Sequence, residues 1–174
     1  MSSGWPGARP LAIPELLRAL NEARVEYVVI GGYALAAHRY VRGTDDLDIV
    51  PKPPRASLRR LVEAIETLDA VPIELEGGLR ADELPVPFGL QSLLDGGTWA
   101  LSTRYGVLHI MQAVPGAEDY GELRANAKRV SLDDVGDVLF VGRDQLIRMK
   151  TQAGRLKDRA DVEELLKRGD DPRA

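Results

Sequence analysis

Two aspartates separated by one residue give the strongest chemical signal in this sequence. Asp46 and Asp48 alternate with the apolar Leu47 and Ile49. Because side chains two apart on a β-strand project from the same face, this spacing predicts a strand that holds both carboxylates together and turns Leu47 and Ile49 into the core. Adjacent carboxylates repel each other, so the pair favours a divalent cation between them, Mg²⁺ or Mn²⁺. We interpret it as a metal-dependent, phosphate-handling site.

A glycine pair precedes the aspartates in the chain. Gly31 and Gly32 follow the apolar run Tyr27–Ile30 and precede an alanine-rich segment, which predicts a strand, a tight turn and a short helix after Gly32. Backbone N–H groups at such a turn can approach triphosphate oxygens closely. A Gly-Gly pair alone is typical of any tight turn. The combination of strand, Gly-Gly, helix and Asp-x-Asp strand favours the phosphate site, and the absence of Gly-x-Gly-x-x-Gly spacing excludes a dinucleotide site of the Rossmann type.

Hydrophobic patterns along the chain predict the elements that must position these residues. Helices are expected from Pro14 to about Ala23, after Gly32, over 55–68, near Leu90–Leu94, over Tyr120–Lys128, and over Asp144–Arg168 with a break at Gly154. Strands are expected at Val25–Ile30, around Asp46 and Asp48 as far as Pro51, and at Val71–Leu75, Trp99–Thr103, Val107–Val114 and Val138–Val141. The sum is an α+β (mixed α/β) fold, a small mixed sheet with helices packed on one side. Residues 1–10 are expected to be irregular, 1–142 to form the core, and 143–174 to form a helical segment packed on it.

Composition sets limits on the class of protein. The 174 residues are 44% hydrophobic and 29% charged, with a net charge of −4, which fits one globular domain. The lack of cysteine excludes disulfides, thiolate metal sites and a cysteine nucleophile. No apolar run approaches the length of a membrane span and no signal peptide is evident, so we expect a cytoplasmic protein without a membrane partner.

Two ordered motifs resemble a known family. The run from Ile30 through Gly31-Gly32 to Leu47-Asp48-Ile49 is similar to the core motif of minimal nucleotidyltransferases of the DNA polymerase beta superfamily. The residues that look like the bacterial branch containing abortive-infection and toxin-type nucleotidyltransferases are Ala34, His38, Arg42, Thr44, Asp46, Leu47 and Asp48. A second match, near the carboxy terminus, is formed by Lys150, Arg155, Lys157, Asp158 and Asp161.

The resemblance implies a nucleotidyltransferase-like fold, an NTP substrate and one or two Mg²⁺ or Mn²⁺ ions. It implies that Asp46 and Asp48 bind metal, and that the nucleotide is held by Gly31, Gly32, Arg42, Thr44, Lys150, Arg155 and Asp158. Lys150 would also neutralise charge during catalysis. Acceptors in the superfamily include RNA 3′ ends, so a tRNA is among the candidates, as well as protein hydroxyls and small molecules such as aminoglycosides. The toxin-type branch adds a cognate antitoxin or toxin as an expected partner.

The sequence departs from the family motif at the third carboxylate, where His109 stands between Leu108 and Ile110. An imidazole is a poor ligand for Mg²⁺ and a better one for Mn²⁺ or Zn²⁺. Three hypotheses follow: His109 acts as a catalytic base, Glu74 or Glu76 completes the metal site, or the protein has lost its chemistry and kept its nucleotide affinity. The last would make it a nucleotide- or partner-binding module of a toxin–antitoxin or phage-defence system.

Overall fold

The computed structural model describes residues 10–73, 87–117 and 119–169. Within them the strands are Tyr27–Ile30 (β1), Asp46–Pro51 (β2), Val71–Ile73 (β3), Thr98–Thr103 (β4), Gly106–Met111 (β5), Lys128–Leu132 (β6) and Gly136–Phe140 (β7). The helices are Ile13–Glu22 (α1), Gly31–Ala37 (α2), Arg55–Thr67 (α3), Leu90–Leu94 (α4), Tyr120–Ala125 (α5), Arg143–Ala153 (α6) and Leu156–Arg168 (α7). The strands form one mixed sheet in the order β3-β4-β5-β2-β1-β7-β6, which confirms the predicted α+β class.

The centre of the sheet determines which residues meet. Strand β1 runs antiparallel to β2 and pairs Ile30 with Asp48. Strand β2 runs parallel to β5 and pairs Asp48 with His109. On its other side β1 runs parallel to β7. All four residues of β1 are buried, which agrees with the continuous apolar run that is typical of a central strand.

The amphipathic helices cover the sheet as their periodicity predicts. Helix α1 carries Pro14 in its first turn, where the missing N–H costs no helical hydrogen bond. Its buried residues are Ile13, Leu16, Leu17 and Leu20, and those of α3 include Leu58, Leu61 and Ile65. Helices α1 and α3 contact each other, and they contact β7 and β2 respectively. No helix among the described residues is both long enough and apolar enough to cross a membrane.

The carboxy-terminal helices belong to the same hydrophobic core as the sheet. Leu146 and Met149 of α6 and Leu165 of α7 are buried in one cluster with the strand residues. Gly154 ends α6 with a φ of +67°, a left-handed conformation that glycine adopts without a steric penalty, at the break that the sequence predicts. The division at residue 142 remains a prediction from the sequence.

Strand β6 is the element that the sequence patterns miss. The expected helix Tyr120–Lys128 ends at Ala125, and Lys128 begins a strand instead. This strand lies at the edge of the sheet and pairs only with β7 among the described residues. Its burial alternates, with Val130 and Leu132 packed against the core, but two apolar residues are too short an alternation to indicate a strand from the sequence.

Candidate active site

Asp46, Asp48 and His109 come together at the centre of the sheet. Both aspartates project from one face of β2, while Leu47 and Ile49 are fully buried on the other. The parallel pairing of β2 with β5 sets His109 beside Asp48. Nδ1 of His109 lies 3.0 Å from Oδ1 of Asp48 and 3.4 Å from Oδ2 of Asp46. The expected convergence of the two carboxylates is therefore present, with an imidazole beside them.

This group has the chemistry of a metal site. One oxygen from each aspartate and one ring nitrogen of His109 lie within 4.8 Å of one another, so the three residues could hold a metal ion. Two hard oxygens and one nitrogen suit Mn²⁺ or Zn²⁺ better than Mg²⁺, which prefers oxygen ligands. The donor set fits a divalent cation, but it favours Mn²⁺ or Zn²⁺, whereas an all-carboxylate site would favour Mg²⁺.

The electrostatics of the group also favour added positive charge. Burial, together with the charge of Asp48, raises the pKa of Asp46 above its ordinary value. Burial lowers the pKa of His109, but the hydrogen bond to Asp48 and the charges of Asp48 and Asp46 outweigh it and raise the pKa above its ordinary value. The two carboxylates therefore favour the protonated form of the His109 imidazole. A divalent cation that binds through this ring competes with that proton.

Position 31 must be a glycine because its backbone lies against the side chain of Asp48. Its φ is +69°, and a Cβ at this position would lie 1.9 Å from Oδ2 of Asp48, so only glycine lets the backbone pass. Helix α2 begins at Gly31, two positions earlier than the expected start after Gly32. A Cβ on Gly32 would lie 2.8 Å from Oγ1 of Thr44 and 3.3 Å from Nη1 of Arg42. Both glycines thus lie against predicted site residues.

Thr44 and Arg42 connect the glycine turn to the rest of the site. Oγ1 of Thr44 donates to the backbone oxygen and to Oδ1 of Asp46, each at 3.2 Å, and so helps to orient that carboxylate. Arg42 donates two hydrogen bonds of 2.8 Å to the two carboxylate oxygens of Asp161. This paired geometry raises the pKa of Arg42 and holds the guanidinium at the edge of the site.

Lys150 belongs to a buried charge network. Its Nζ lies 2.7 Å from Oδ2 of Asp161 and 3.5 Å from Oδ1 of Asp158, and both carboxylates are almost fully buried. Nε of Arg155 donates to Oδ2 of Asp158 at 2.6 Å. Burial would raise the pKa of both aspartates, but the hydrogen bonds from Arg155 to Asp158, and from Arg42 and Lys150 to Asp161, lower it. Lys150 is therefore held by two carboxylates, whereas the sequence predicts that it contacts nucleotide.

Asp161 is the network residue whose role the sequence did not reveal. It joins Arg42, which lies in the loop after α2, to Lys150 of α6. Its spacing of three from Asp158 on α7 puts both carboxylates on one face of that helix, which is the signal that could have indicated a shared role.

A cavity of about 310 Å³ brings the predicted residues together. Its polar lining includes Gly31, Gly32, Arg42, Thr44, Asp46, Asp48, His109, Lys150, Arg155 and Asp158. The sequence missed its apolar wall, which includes Met111, Val114, Leu146 and Met149, because such residues give no chemical signal. The volume is in the range of small-ligand sites. Glu74 and Glu76, the alternative metal ligands, lie outside the described residues.

Comparison with known proteins identifies the fold. No protein-family model matches the sequence, and no curated protein has significant similarity to it. The lincosamide antibiotic adenylyltransferase LnuA, in its lincomycin-bound form, is 15% identical with a TM-score of 0.60, over 92% of this chain and 100% of that one. The antibiotic-resistance factor ANT(2″)-Ia is 15% identical with a TM-score of 0.57, over 89% and 80%. A candidate nucleotidyltransferase from Thermotoga maritima is 14% identical with a TM-score of 0.51, over 92% and 98%.

At such low identity the similarity establishes the fold and leaves the reaction to be argued from the site. The chain has the nucleotidyltransferase fold that the two motifs predict. Membership of the toxin-type branch and the individual roles of the site residues remain predictions.

Proposed function

We propose that this protein transfers a nucleotidyl group from an NTP to a hydroxyl acceptor. The observation that carries the proposal is the meeting of Asp46, Asp48 and His109 on the wall of a cavity that Arg42, Lys150 and Arg155 also line. An acidic, metal-competent group beside a set of cations is the arrangement that a triphosphate with bound metal requires. The nucleotidyltransferase fold supports the same reaction.

Asp46, Asp48 and His109 are the residues that would hold a divalent metal, Mn²⁺ or Mg²⁺. When bound there, the metal would supply charge neutralisation at the triphosphate and polarise the α-phosphate. In the reaction the acceptor hydroxyl gives its proton to a base and its oxygen forms a bond to the α-phosphorus. The bond from that phosphorus to the oxygen bridging to the β-phosphate breaks, and pyrophosphate leaves.

The arginines differ from Lys150 in what they can do for the nucleotide. The side chain of Arg155 is 62% exposed, so its guanidinium can present an N–H group to a phosphate while Nε stays on the buried Asp158. Arg42 is 25% exposed and lines the same cavity. Lys150 is almost fully buried between Asp158 and Asp161. We assign the phosphate contacts to the arginines and a positioning role to Lys150, which holds α6 and α7 together behind them.

His109 has two chemically consistent roles. As a ligand it would give its Nδ1 to the metal, next to Asp48. As a base it would keep the proton that Nδ1 shares with Asp48 and use Nε2 to accept the proton of the attacking hydroxyl. Both roles require the neutral imidazole, so the raised pKa of His109 opposes each of them in the metal-free protein and does not distinguish the two.

The acceptor we propose to test first is a small-molecule hydroxyl, because LnuA is a lincosamide antibiotic adenylyltransferase and shares the fold over most of the chain. RNA 3′ ends, including those of tRNA, and protein hydroxyls are the other candidates. A cognate antitoxin or toxin is the proposed partner if the protein belongs to the toxin-type branch.

The proposal is tested with NTPs that carry label on either the α- or the γ-phosphate. Purified protein is incubated with each NTP, Mn²⁺ or Mg²⁺, and pools of aminoglycosides, lincosamides, total RNA or proteins. Label from the α-phosphate should become covalently attached to one pool, while label from the γ-phosphate should appear only in pyrophosphate. Asp48→Asn should abolish attachment. The control Asp45→Asn removes the same charge from an exposed neighbouring residue and should leave attachment unchanged.

A second candidate function is nucleotide or partner binding without chemistry. Two observations favour it: Nδ1 of His109 lies within ion-pair distance of both Asp46 and Asp48, and Nζ of Lys150 lies against the carboxylates of Asp158 and Asp161. This function predicts that wild-type protein binds an NTP in calorimetry yet attaches no label to any pool. It further predicts that His109→Asp, which restores the third carboxylate, creates attachment. Attachment by the wild type excludes it.

A further inference from the structure

A second cavity, which we call the basic cleft, lies apart from the candidate active site. Its volume is about 420 Å³, and among the described residues its lining contains no carboxylate. The basic side chains that line it are Arg39, Lys128, Arg129, Arg143 and Arg168. Since the whole chain carries a net charge of −4, this local excess of positive charge is not a consequence of overall composition.

The basic cleft and the candidate active site lie at the same end of four neighbouring strands, β6, β7, β1 and β2. Lys128 pairs with Phe140, and Phe140 pairs with Val29. Ile30, the next residue of β1, pairs with Asp48. Three strand spacings of about 4.8 Å therefore separate Lys128 from Asp48, a distance of roughly 14 Å. Helix α2 spans this interval, because it begins at the glycines of the active site and ends at Ala37 in the cleft.

Two arginines form a fixed floor of the cleft. Arg143 donates from Nε and Nη2 to the backbone oxygen of Leu165, at 3.2 and 2.9 Å. Arg168 donates from Nε to the backbone oxygen of Arg39 at 3.0 Å, and its guanidinium lies 5.0 Å from the ring centroid of Tyr40. Each arginine also pairs with a carboxylate outside the lining, Arg143 with Asp144 at 3.3 Å and Arg168 with Glu164. These contacts hold the two guanidinium groups in place without a ligand, so little conformational entropy is lost when an anion binds.

Lys128 and Arg129 provide charge that a ligand can recruit. Lys128 forms no ion pair within the described part of the chain. Arg129 pairs with Asp137 at 3.1 Å, but the two side chains are 62% and 50% exposed. An exposed pair of this kind contributes at most about 1 kcal/mol, so its guanidinium can turn to a stronger anion at little cost.

We propose that the basic cleft binds phosphate groups of a ligand that carries several of them, at a site separate from the NTP site. Phosphate accepts the paired hydrogen bonds that guanidinium groups present. Because Arg129, Arg143 and Arg168 each pair with a carboxylate outside the lining, a ligand needs several negative charges to recruit the cluster. Two sources have this chemistry: the backbone of a single-stranded nucleic acid, and a free polyphosphate. The proposal does not depend on the nucleotidyl-transfer reaction.

The test measures anion binding without divalent metal, so that the candidate active site contributes little. A fluorescent single-stranded RNA with a 3′-phosphate is titrated with protein in EDTA while anisotropy is followed, and inorganic tripolyphosphate is titrated separately by calorimetry. The cleft variant is Lys128→Gln/Arg129→Gln. Its matched control is Arg59→Gln/Arg60→Gln, which removes two exposed charges from α3. Thermal unfolding verifies that both variants are folded.

We expect the cleft variant to bind at least one of the two probes roughly tenfold more weakly than the control variant. If RNA is the ligand, the slope of log affinity against log salt should become less negative by about 1.4, which is 0.7 for each of two lost contacts. In ¹⁵N–¹H spectra of the wild type, the bound probe should shift the amides of Arg129 and Gly142 and leave those of Gly31 and Gly32 in place. The spectra keep the proposal testable if the cleft variant does not fold.

The two probes separate the sources of phosphate. Binding of RNA that tripolyphosphate does not displace identifies a nucleic-acid backbone, and binding of tripolyphosphate alone identifies a free polyphosphate. The proposal is wrong if wild-type protein binds neither probe at about 50 mM salt, a concentration at which phosphate contacts are strong. It is equally wrong if the cleft variant and the control bind alike, or if the shifted amides are those of the glycines.

Discussion

The side chain of Asp48 is held in place by contacts from two other elements of the fold. The backbone of Gly31 passes so close that no side chain fits between them, and Nδ1 of His109 lies 3.0 Å from Oδ1. Asp46 shares the same face of β2. Small changes at these residues should therefore alter metal binding more than they alter the fold.

Gly31→Ala tests this directly. A Cβ would meet Oδ2 of Asp48, and a φ of +69° costs an alanine about 1–2 kcal/mol. We expect Mn²⁺ affinity to fall by more than about tenfold, measured by calorimetry, because Asp48 must move out of position. The control is Gly43→Ala, at a position with open space and no positive φ, which should bind Mn²⁺ as the wild type does. Unchanged Mn²⁺ affinity in Gly31→Ala would contradict the role assigned to Asp48.

His109→Asp tests whether the imidazole determines the metal. Replacing nitrogen with a carboxylate gives an all-oxygen ligand set, so the ratio of Mn²⁺ to Mg²⁺ affinity should fall by roughly tenfold. His109→Asn is the control, since it removes the imidazole without adding charge and should weaken both metals. Calorimetric titration of each metal at pH 7 gives the ratio. Equal ratios in the wild type and in His109→Asp would show that His109 is not a ligand.

The buried charge network joins the consecutive helices α6 and α7 to the loop after α2, which is distant from them in sequence. Asp161 of α7 accepts hydrogen bonds from Lys150 of α6 and from Arg42 in the loop after α2. Removing the buried carboxylate of Asp161 would leave the positive charges of Arg42 and Lys150 without compensation, which destabilises the fold. The network therefore fixes α7 against the wall of the candidate active site.

Asp161→Asn should lower the free energy of unfolding by about 3–5 kcal/mol at pH 7, the cost of breaking a buried ion pair from one side. Urea titration measures the change. Glu163→Gln alters a carboxylate of the same helix that is exposed, and it should change stability by less than about 0.5 kcal/mol. If the two variants have similar stability, the network does not contribute to folding.

The stability that Asp161→Asn loses should depend on pH, in a direction that follows from the pKa of Asp161. Hydrogen bonds from Arg42 and Lys150, opposing the effect of burial, keep the pKa of Asp161 below its ordinary value. A carboxylate with a depressed folded-state pKa stabilises the protein above its unfolded pKa of about 3.9, and this contribution disappears as pH falls through the folded-state pKa. The stability difference between wild type and Asp161→Asn should therefore be full at pH 7 and shrink below about pH 4. Urea titrations at pH 7, 5, 4 and 3 test this, and a constant difference would contradict it.

At the scale of the whole molecule, the carboxy-terminal helices and the sheet share one core. Leu146 and Leu165 pack in the same cluster as the buried residues of β1, β2 and β7. A core of this kind predicts cooperative unfolding, in which the carboxy-terminal helices do not separate from the sheet before it melts.

Leu165→Ala should lower the stability of the entire protein by about 2–5 kcal/mol, because it leaves a cavity in that core. Circular dichroism and tryptophan fluorescence should report the same single transition in urea. Leu166→Ala is the matched control, since Leu166 is 59% exposed while Leu165 is fully buried. Two separate transitions, with only one of them sensitive to Leu165→Ala, would support an independent helical segment over 143–174.

The sequence by itself determined the features that depend on neighbours along the chain. The two-residue period of a strand sets Asp46 and Asp48 on one face, and the helical period sets the buried faces of α1 and α3. The sequence also indicated the turn at Gly31 and the break at Gly154, because both residues have a positive φ and glycine is the residue that adopts it most readily. Strand β6 was missed because only Val130 and Leu132 mark its two-residue period, too few residues to distinguish a strand from a loop.

Only the tertiary structure decided which distant residues meet. His109 lies beside Asp48 across 61 positions of sequence because β2 and β5 are paired in parallel. Arg42 contacts Asp161 across 119 positions of sequence. Asp161 also contacts Lys150, so α6 and α7 contribute charged side chains to a buried network. The five basic residues of the basic cleft are likewise brought together by strand order and helix ends. Local periodicity specifies the direction in which a side chain points, whereas strand pairing and helix packing specify what it meets.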